Sequence, residues 1–317
     1  MQRTNRVRHT IIGLVMFAPA IVLVSMVGVP NAAASYQPSN NPFANPSQNM
    51  PAPPLTYGSG LCTGQEVDGI VSNCSSPCYP SVRVEPNGDW IFPLADTPAC
   101  TDLALKAINA AQASEHLPPL VLPRNYFHMN VAEQLFVLAN LERVIRGVPP
   151  LVGLVPYLNY FATIGARLDE DPFVSRLDYN YKYNEWQTGP IIMAHGMLGG
   201  TSIWDGGDST PASAMFGWMY NDGWGGSAKA TTNFDCTSPH ASGCWGHRDN
   251  ILGADLGTKC TTCFAGAGFA SSLKPGSWTT SYAMIFVDAV NHPAVSFSWN
   301  ANVLPELPVR YERVPAG

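Results

Sequence analysis

The side chains with most chemistry to offer in this chain are its eight cysteines and seven histidines. Cys236, Cys244, Cys260 and Cys263 have the outline of a zinc ribbon, with Cys260-Thr-Thr-Cys263 as one knuckle. The seven residues between Cys236 and Cys244 are too many for the second knuckle, so disulfides are the better reading. A CxxC pair is a redox motif in a thioredoxin-like setting, and that setting is absent. His240 and His247 stand seven apart, but His240 sits in a loop between Ser and Pro residues and reads as solvated. There is no G-x-S-x-G elbow and no H-E-x-x-H helix, and Ser202 has no motif around it that marks a nucleophile.

The redox state of those cysteines depends on compartment, and the first 34 residues bear on that. Arg3, Arg6 and Arg8 precede an apolar run from Ile11 to Val29, broken only by Ser25, and Ala32-Ala33-Ala34 follows. A positive start, an apolar middle and an A-x-A end make a cleavable secretory signal of residues 1–34. The run is also long enough to span a bilayer as an uncleaved anchor, the one circumstance in which a membrane is a partner. In an oxidising compartment an even count of cysteines suggests four disulfides. Cys62, Cys74, Cys78 and Cys100 would staple a small N-terminal module, with three pairings open.

Removing residues 1–34 takes away three of the 17 basic residues and none of the 23 acidic ones, leaving a net charge of −9. With no basic cluster, this chain has no general attraction for a phosphate backbone, which argues against nucleic acid as a partner. Charged residues make up 13% of the chain, about half the usual share, while Gly and Pro reach 28 each. That composition fits a compact body with many loops.

The elements that must position any site follow from local pattern. Residues 35–61 are rich in Pro, Asn and Ser and read as an extended tether. Residues 62–128 form a disulfide-stapled extension ending in a helix, for which Thr101 or Asp102 would be the cap. Asn130 and Glu133 predict a capping box, Leu135, Leu138, Leu141, Val144 and Ile145 mark one face of the helix that follows, and Gly147 ends it. A further helix is expected within 151–171, and another from Ser209-Thr210-Pro211 to about Asp222-Gly223. Ala265–Ala270 and Ser277–Val287 read as strands joined by a turn at Lys274-Pro275-Gly276. Tyr179, Tyr181, Tyr183 and Trp186 alternate like a strand face, for which packing is the commoner explanation. Helices first and strands late give an α+β fold class.

Three segments resemble the CAP superfamily: the cysteine-rich secretory proteins, antigen-five allergens and pathogenesis-related proteins, in their bacterial extracellular branch. The first is Asn140-Leu-Glu-Arg143 leading through Gly147 to Pro149-Pro-Leu151, similar to the family's N-x-x-R and G-L-x-P-L. The second is Trp218-Met-Tyr-Asn-Asp222-Gly followed by Gly246-His-Arg-Asp-Asn-Ile-Leu252, similar to WMxSxGHRxNIL. The third is Ala265-Gly-Ala-Gly-Phe269 with Ser277–Val287. The resemblance implies an α-β-α sandwich with a central antiparallel sheet over residues 129–290, leaving 291–317 as a C-terminal tail. Two departures stand out. Residues 224–245 interrupt the second segment, and Cys236 and Cys244 would close that insert as a covalent loop. The family's GEN motif is missing, with Ser202–Gly207 in its place.

Carried over residue by residue, the family's His-Glu-Glu-His cleft maps to His247, to Asp222 in place of a glutamate, and to His195. Asp205 lies near the lost glutamate without aligning to it. Two imidazoles and a carboxylate would suit a divalent ion such as zinc, with water in an open position. The same groups without metal could do acid–base work. The resemblance implies a secreted binding protein whose partner is a lipid, a cell-envelope component or an extracellular protein. Metal-assisted hydrolysis and a purely structural envelope role are the alternatives. The lost carboxylate argues against an enzyme.

Overall fold

Helix α2, Val131–Val144, starts where its caps dictate. Asn130 Oδ1 accepts from the Glu133 amide at 3.0 Å, and the Asn130 amide donates to Glu133 Oε2 at 2.9 Å, so two orphan donors are satisfied reciprocally. Past its end, Gly147 takes a φ of 75°, a left-handed conformation that suits glycine. Helix α1 spans Pro98–Ser114 and begins earlier than the expected cap at Thr101 or Asp102. Thr97 accepts from the Cys100 amide at 3.3 Å and Pro98 follows at the first helical position, a stronger start signal than the residues downstream. Helix α3 is Pro156–Leu168, and α4 is Pro211–Tyr220, capped by Thr210 with Ser213 as its reciprocal partner. Helix α5 is Gly246–Leu252.

The structure is a computed structural model that describes residues 44–46, 97–172, 197–226, 233, 235–254, 263–271, 280–289 and 292–308. It adds the backbone of six two-residue strands: β1 Glu66–Val67 with β2 Ile70–Val71, β3 Arg83–Val84 with β4 Trp90–Ile91, and β6 Tyr179–Asn180 with β7 Glu185–Trp186. The expected signal, most of the expected tether, His195, Cys62, Cys74, Cys78, Cys260 and the expected turn at Lys274–Gly276 lie outside the described residues. No helix among the described residues is long and apolar enough to cross a membrane.

The main sheet has five strands: β5 Gly153–Leu154, β8 Met197–Gly206, β9 Cys263–Ser271, β10 Thr280–Ala289 and β11 Phe297–Ser298. Their order is β11-β5-β9-β10-β8. The sheet is mixed and not wholly antiparallel, because β5 pairs with β9 in parallel through the single register Leu154↔Ala265. The fold class is α+β.

Period-two alternation sends strand side chains to opposite faces. Cys263, Ala265 and Ala267 of β9 and Tyr282, Met284 and Phe286 of β10 join one core with α1, α2, α4 and α5. Phe297, Trp299, Val303 and Leu307 from the end of the chain share it. Phe264, Ala283, Ile285 and Val287 face the other way, onto Leu158, Ala162 and Ala166 of α3. Helix α3 comes unusually near: a Cβ at Gly266 would stand 2.3 Å from the Leu158 backbone, and one at Gly268 2.2 Å from Thr163 N. Only glycine allows that approach.

The side of the sheet covered by four helices also holds a buried ionic network. Glu142 is fully buried, and its Oε2 accepts from Arg146 Nη1, from Tyr220 OH at 2.8 Å and from Gln112 Nε2 at 3.2 Å. Arg146 Nη2 reaches Glu115 Oε2 at 3.3 Å. Arg248 grips both Glu115 oxygens, at 3.2 and 2.7 Å, and donates to the Met219 carbonyl at 2.8 Å. Its Nη2 also reaches the Ala44 carbonyl at 3.2 Å, which ties one point of the Pro-rich segment to α5. Burial holds the Tyr220 hydroxyl far above its ordinary value, so it stays a donor. Arg143 has no carboxylate among the partners found for it. It donates to Pro149 O and Ile251 O, each at 2.8 Å, and burial lowers it to about 9. Asn140 exchanges two bonds with Leu151, at 2.6 and 3.2 Å.

Breaking one member of a buried ion pair costs more than removing both. Glu142→Ala should therefore lose about 3–5 kcal/mol of stability in chemical denaturation. A Glu142→Leu/Arg146→Met double variant should recover most of that; equal losses in the two would refute the network as the cause.

Candidate functional site

Helix α5 begins without a cap of its own. Trp245, at the N-cap position, is left-handed with φ 66° and offers no side-chain bond. The orphan amides are served from elsewhere. Asp222, just past the end of α4, is fully buried and its Oδ2 accepts from the His247 amide at 2.8 Å and the Arg248 amide at 3.2 Å. The other oxygen, Oδ1, lies 2.8 Å from His247 Nδ1. One carboxylate thus caps the helix and orients the imidazole on it. An acceptor at Nδ1 places the proton there in the neutral ring, leaving Nε2 for a ligand or a proton. The His247 side chain is 21% exposed.

Burial alone would lower His247. The charge of Asp222 and its hydrogen bond outweigh that, with Asp171 and Asp235 adding to the pull, and the net effect is a rise above the ordinary 6.5. A raised histidine contributes stability that is fully present below the unfolded value and is lost as pH climbs through the folded one.

The insert contributes directly to this pair. Asn233, 5% exposed, donates to the same Asp222 Oδ1 at 2.7 Å and to the Gly243 carbonyl, while its Oδ1 accepts from the Asp235 amide at 3.0 Å. Cys236 and Cys244 pair as expected, in a disulfide with Cα atoms 4.4 Å apart that closes residues 236–244 as a covalent loop. Restricting a loop this short in the unfolded chain is worth about 2–3 kcal/mol. Gly243 lies against Asp235, where a Cβ would fall 2.3 Å from the Asp235 Cβ. The Trp245 ring covers Gly223, where a Cβ would fall 2.2 Å from Cε2, and the Trp245 amide donates to the Asp222 carbonyl at 2.9 Å. Cys100 and Cys263 are also disulfide-bonded.

Of the four cleft residues expected from the sequence, Asp222 and His247 meet. His195 lies outside the described residues. The partner found for Asp205 is Asp208, with which it shares a hydrogen bond, and not His247. Burial, then the neighbouring carboxylate, push Asp205 well up, so it holds the proton and donates to Asp208. Asp208 also bonds Ser213 at the start of α4. Strand β8 is held by α4 and α5: Asn250 Nδ2 donates to Ser202 O at 3.1 Å and Trp218 Nε1 to Trp204 O at 3.0 Å.

Sequence reasoning missed Asn233 and Asp208. An asparagine three residues before a loop-closing cysteine, and a second aspartate three residues after the first, were the available signals. Among the described residues no group of three or more His, Cys, Asp or Glu side chains is placed to hold a metal ion. The described residues supply His247 Nε2 as one candidate ligand, short of the four that zinc takes. Searches against protein-family models, curated proteins and solved structures found no match for the chain.

Two outcomes follow from this geometry. Asp222→Asn should lower the His247 titration midpoint read by NMR, and His247→Gln should flatten the fall in stability as pH rises above 6.5; an unmoved midpoint would refute the pairing. Asp205→Asn keeps a donor toward Asp208 without a proton to lose. It should raise the melting temperature at pH 8, where a raised carboxyl costs stability, with the gain shrinking toward pH 4. The same gain at both pH values would show that the shared proton is not its source.

Proposed function

We propose that the chain is an exported CAP-like binding protein, an α-β-α sandwich that holds its ligand in a cleft at His247. The reading is supported by where the family-like segments lie. Asn140 and Arg143 fasten Leu151, Pro149 and Ile251; Trp218 and Asn250 fasten β8; Asp222 fastens His247. The observation that carries it is the Asp222–His247 contact of 2.8 Å, formed across an insert that separates the two halves of the motif. A lipid, an envelope component or an extracellular protein is the ligand class, and the secretory signal of residues 1–34 delivers the protein to it.

A second reading, hydrolysis of a peptide, envelope or lipid substrate, is favoured by the same pair. An aspartate that holds Nδ1 leaves Nε2 to accept a proton from water or from a substrate hydroxyl. Zinc chemistry in addition would need His195 beside His247.

Native mass spectrometry of the exported protein, with disulfides intact, tests these readings together. A polypeptide beginning at Ser35 supports export. A co-purified lipid or envelope mass, lost in His247→Ala, supports the binding reading. A zinc excess absent from a His195→Ala/His247→Ala variant supports the metal-assisted reading. A bare mass that takes up neither zinc nor offered lipid would overturn the small-ligand and metal readings and favour the structural role.

A further inference from the structure

The insert has two limbs. One carries Asn233 and Cys236; the other carries Gly243 and Cys244 and runs through Trp245 into His247. Links among the described residues that join them include the Cys236–Cys244 disulfide, the Asn233 side chain on the Gly243 carbonyl, and the packing of Gly243 on Asp235. The Asn233 carbonyl also accepts from the Cys236 amide at 3.1 Å, so the positioning amide and the bridged cysteine share one turn. At its far end Asn233 shares Asp222 Oδ1 with the His247 ring, with contacts of 2.7 and 2.8 Å. Asn233, Asp222 and Cys236 are all buried.

We propose that Asn233 and the disulfide-closed loop of residues 236–244 form an arm in which Asn233 is the positioning residue for His247, so that opening Cys236–Cys244 releases the imidazole from its fixed setting. The opening step is a thiol–disulfide exchange with a dithiol. The dithiol gives two electrons and two protons, Cys236 and Cys244 become two thiols, and the dithiol closes to its own disulfide. With the covalent link gone, the Asn233–Gly243 hydrogen bond and the packing of Gly243 on Asp235 hold the limbs non-covalently. Asn233 is no longer held on Asp222, Oδ1 loses its second donor, and water gains access to the His247 Nδ1 proton. The arm makes the site sensitive to thiol reductants without placing a cysteine in it.

The inference takes from the proposed function only that His247 is the working side chain, and its test needs no ligand. In the full mature protein, the His247 Nδ1–H signal is assigned by its loss in His247→Gln, and its exchange with water is measured by NMR. Asn233→Ala and a Cys236→Ser/Cys244→Ser double variant should each speed that exchange at least tenfold, with far-ultraviolet circular dichroism unchanged. Should the double variant fail to fold, stepwise reduction of the native protein with dithiothreitol, mapped by alkylation, replaces it; the signal should broaden in step with alkylation of Cys236 and Cys244. Exchange within twofold of the native rate in either variant, or a signal that outlasts reduction of this bridge, would overturn the proposal. A failure to bind ligand, with exchange altered as expected, would count against the proposed function alone.

Discussion

A carboxylate with no exposure to solvent must be answered by donors, and Asp222 is answered four times, by the His247 and Arg248 amides, the His247 ring and the Asn233 side chain. Those donors come from the insert and from a helix too short to hold its own amino end. Removing the carboxylate would leave α5 uncapped, the imidazole free to turn and the insert without its inner attachment. The local order of the site therefore depends on one carboxylate whose burial is tolerable only while its donors stay in place.

The same economy of charge extends behind the site. Charged residues are scarce in this chain, yet Glu142, Arg143, Arg146 and Arg248 are placed inside, where desolvation works against them. Such a network adds little to stability compared with an apolar core, but it tolerates few alternative arrangements. Arg248 follows His247 directly in sequence. Its double grip on Glu115 fixes the turn of α5 from which the imidazole projects.

What the sequence made legible was local. The Asn130–Glu133 and Thr210–Pro211 signals act within one turn of chain, and both helices begin where those residues put them. The start of α1 was misplaced because Thr101 and Asp102 are good caps in isolation, while Thr97-Pro98 is better. The parallel pairing of β5 could not be read, since two residues carry no periodicity. Asp222 and His247 were named together only through a resemblance, for no local pattern joins residues 25 positions apart. Asn233 was hidden for a related reason: its role exists only once the loop is closed. Glu115 and Arg248 stand 133 positions apart and left no trace that a pattern could find.

The approach of α3 to Gly266 and Gly268 has a bearing on where any hydrocarbon could lie. Helix backbone rests on strand backbone there, with less room than one methyl group requires. An acyl chain sliding between those two layers would have to pry them apart along the line of the glycines. Main chain seals the sheet along that seam, whereas on the opposite face the boundary is made by buried side chains such as Tyr282, Met284 and Phe286.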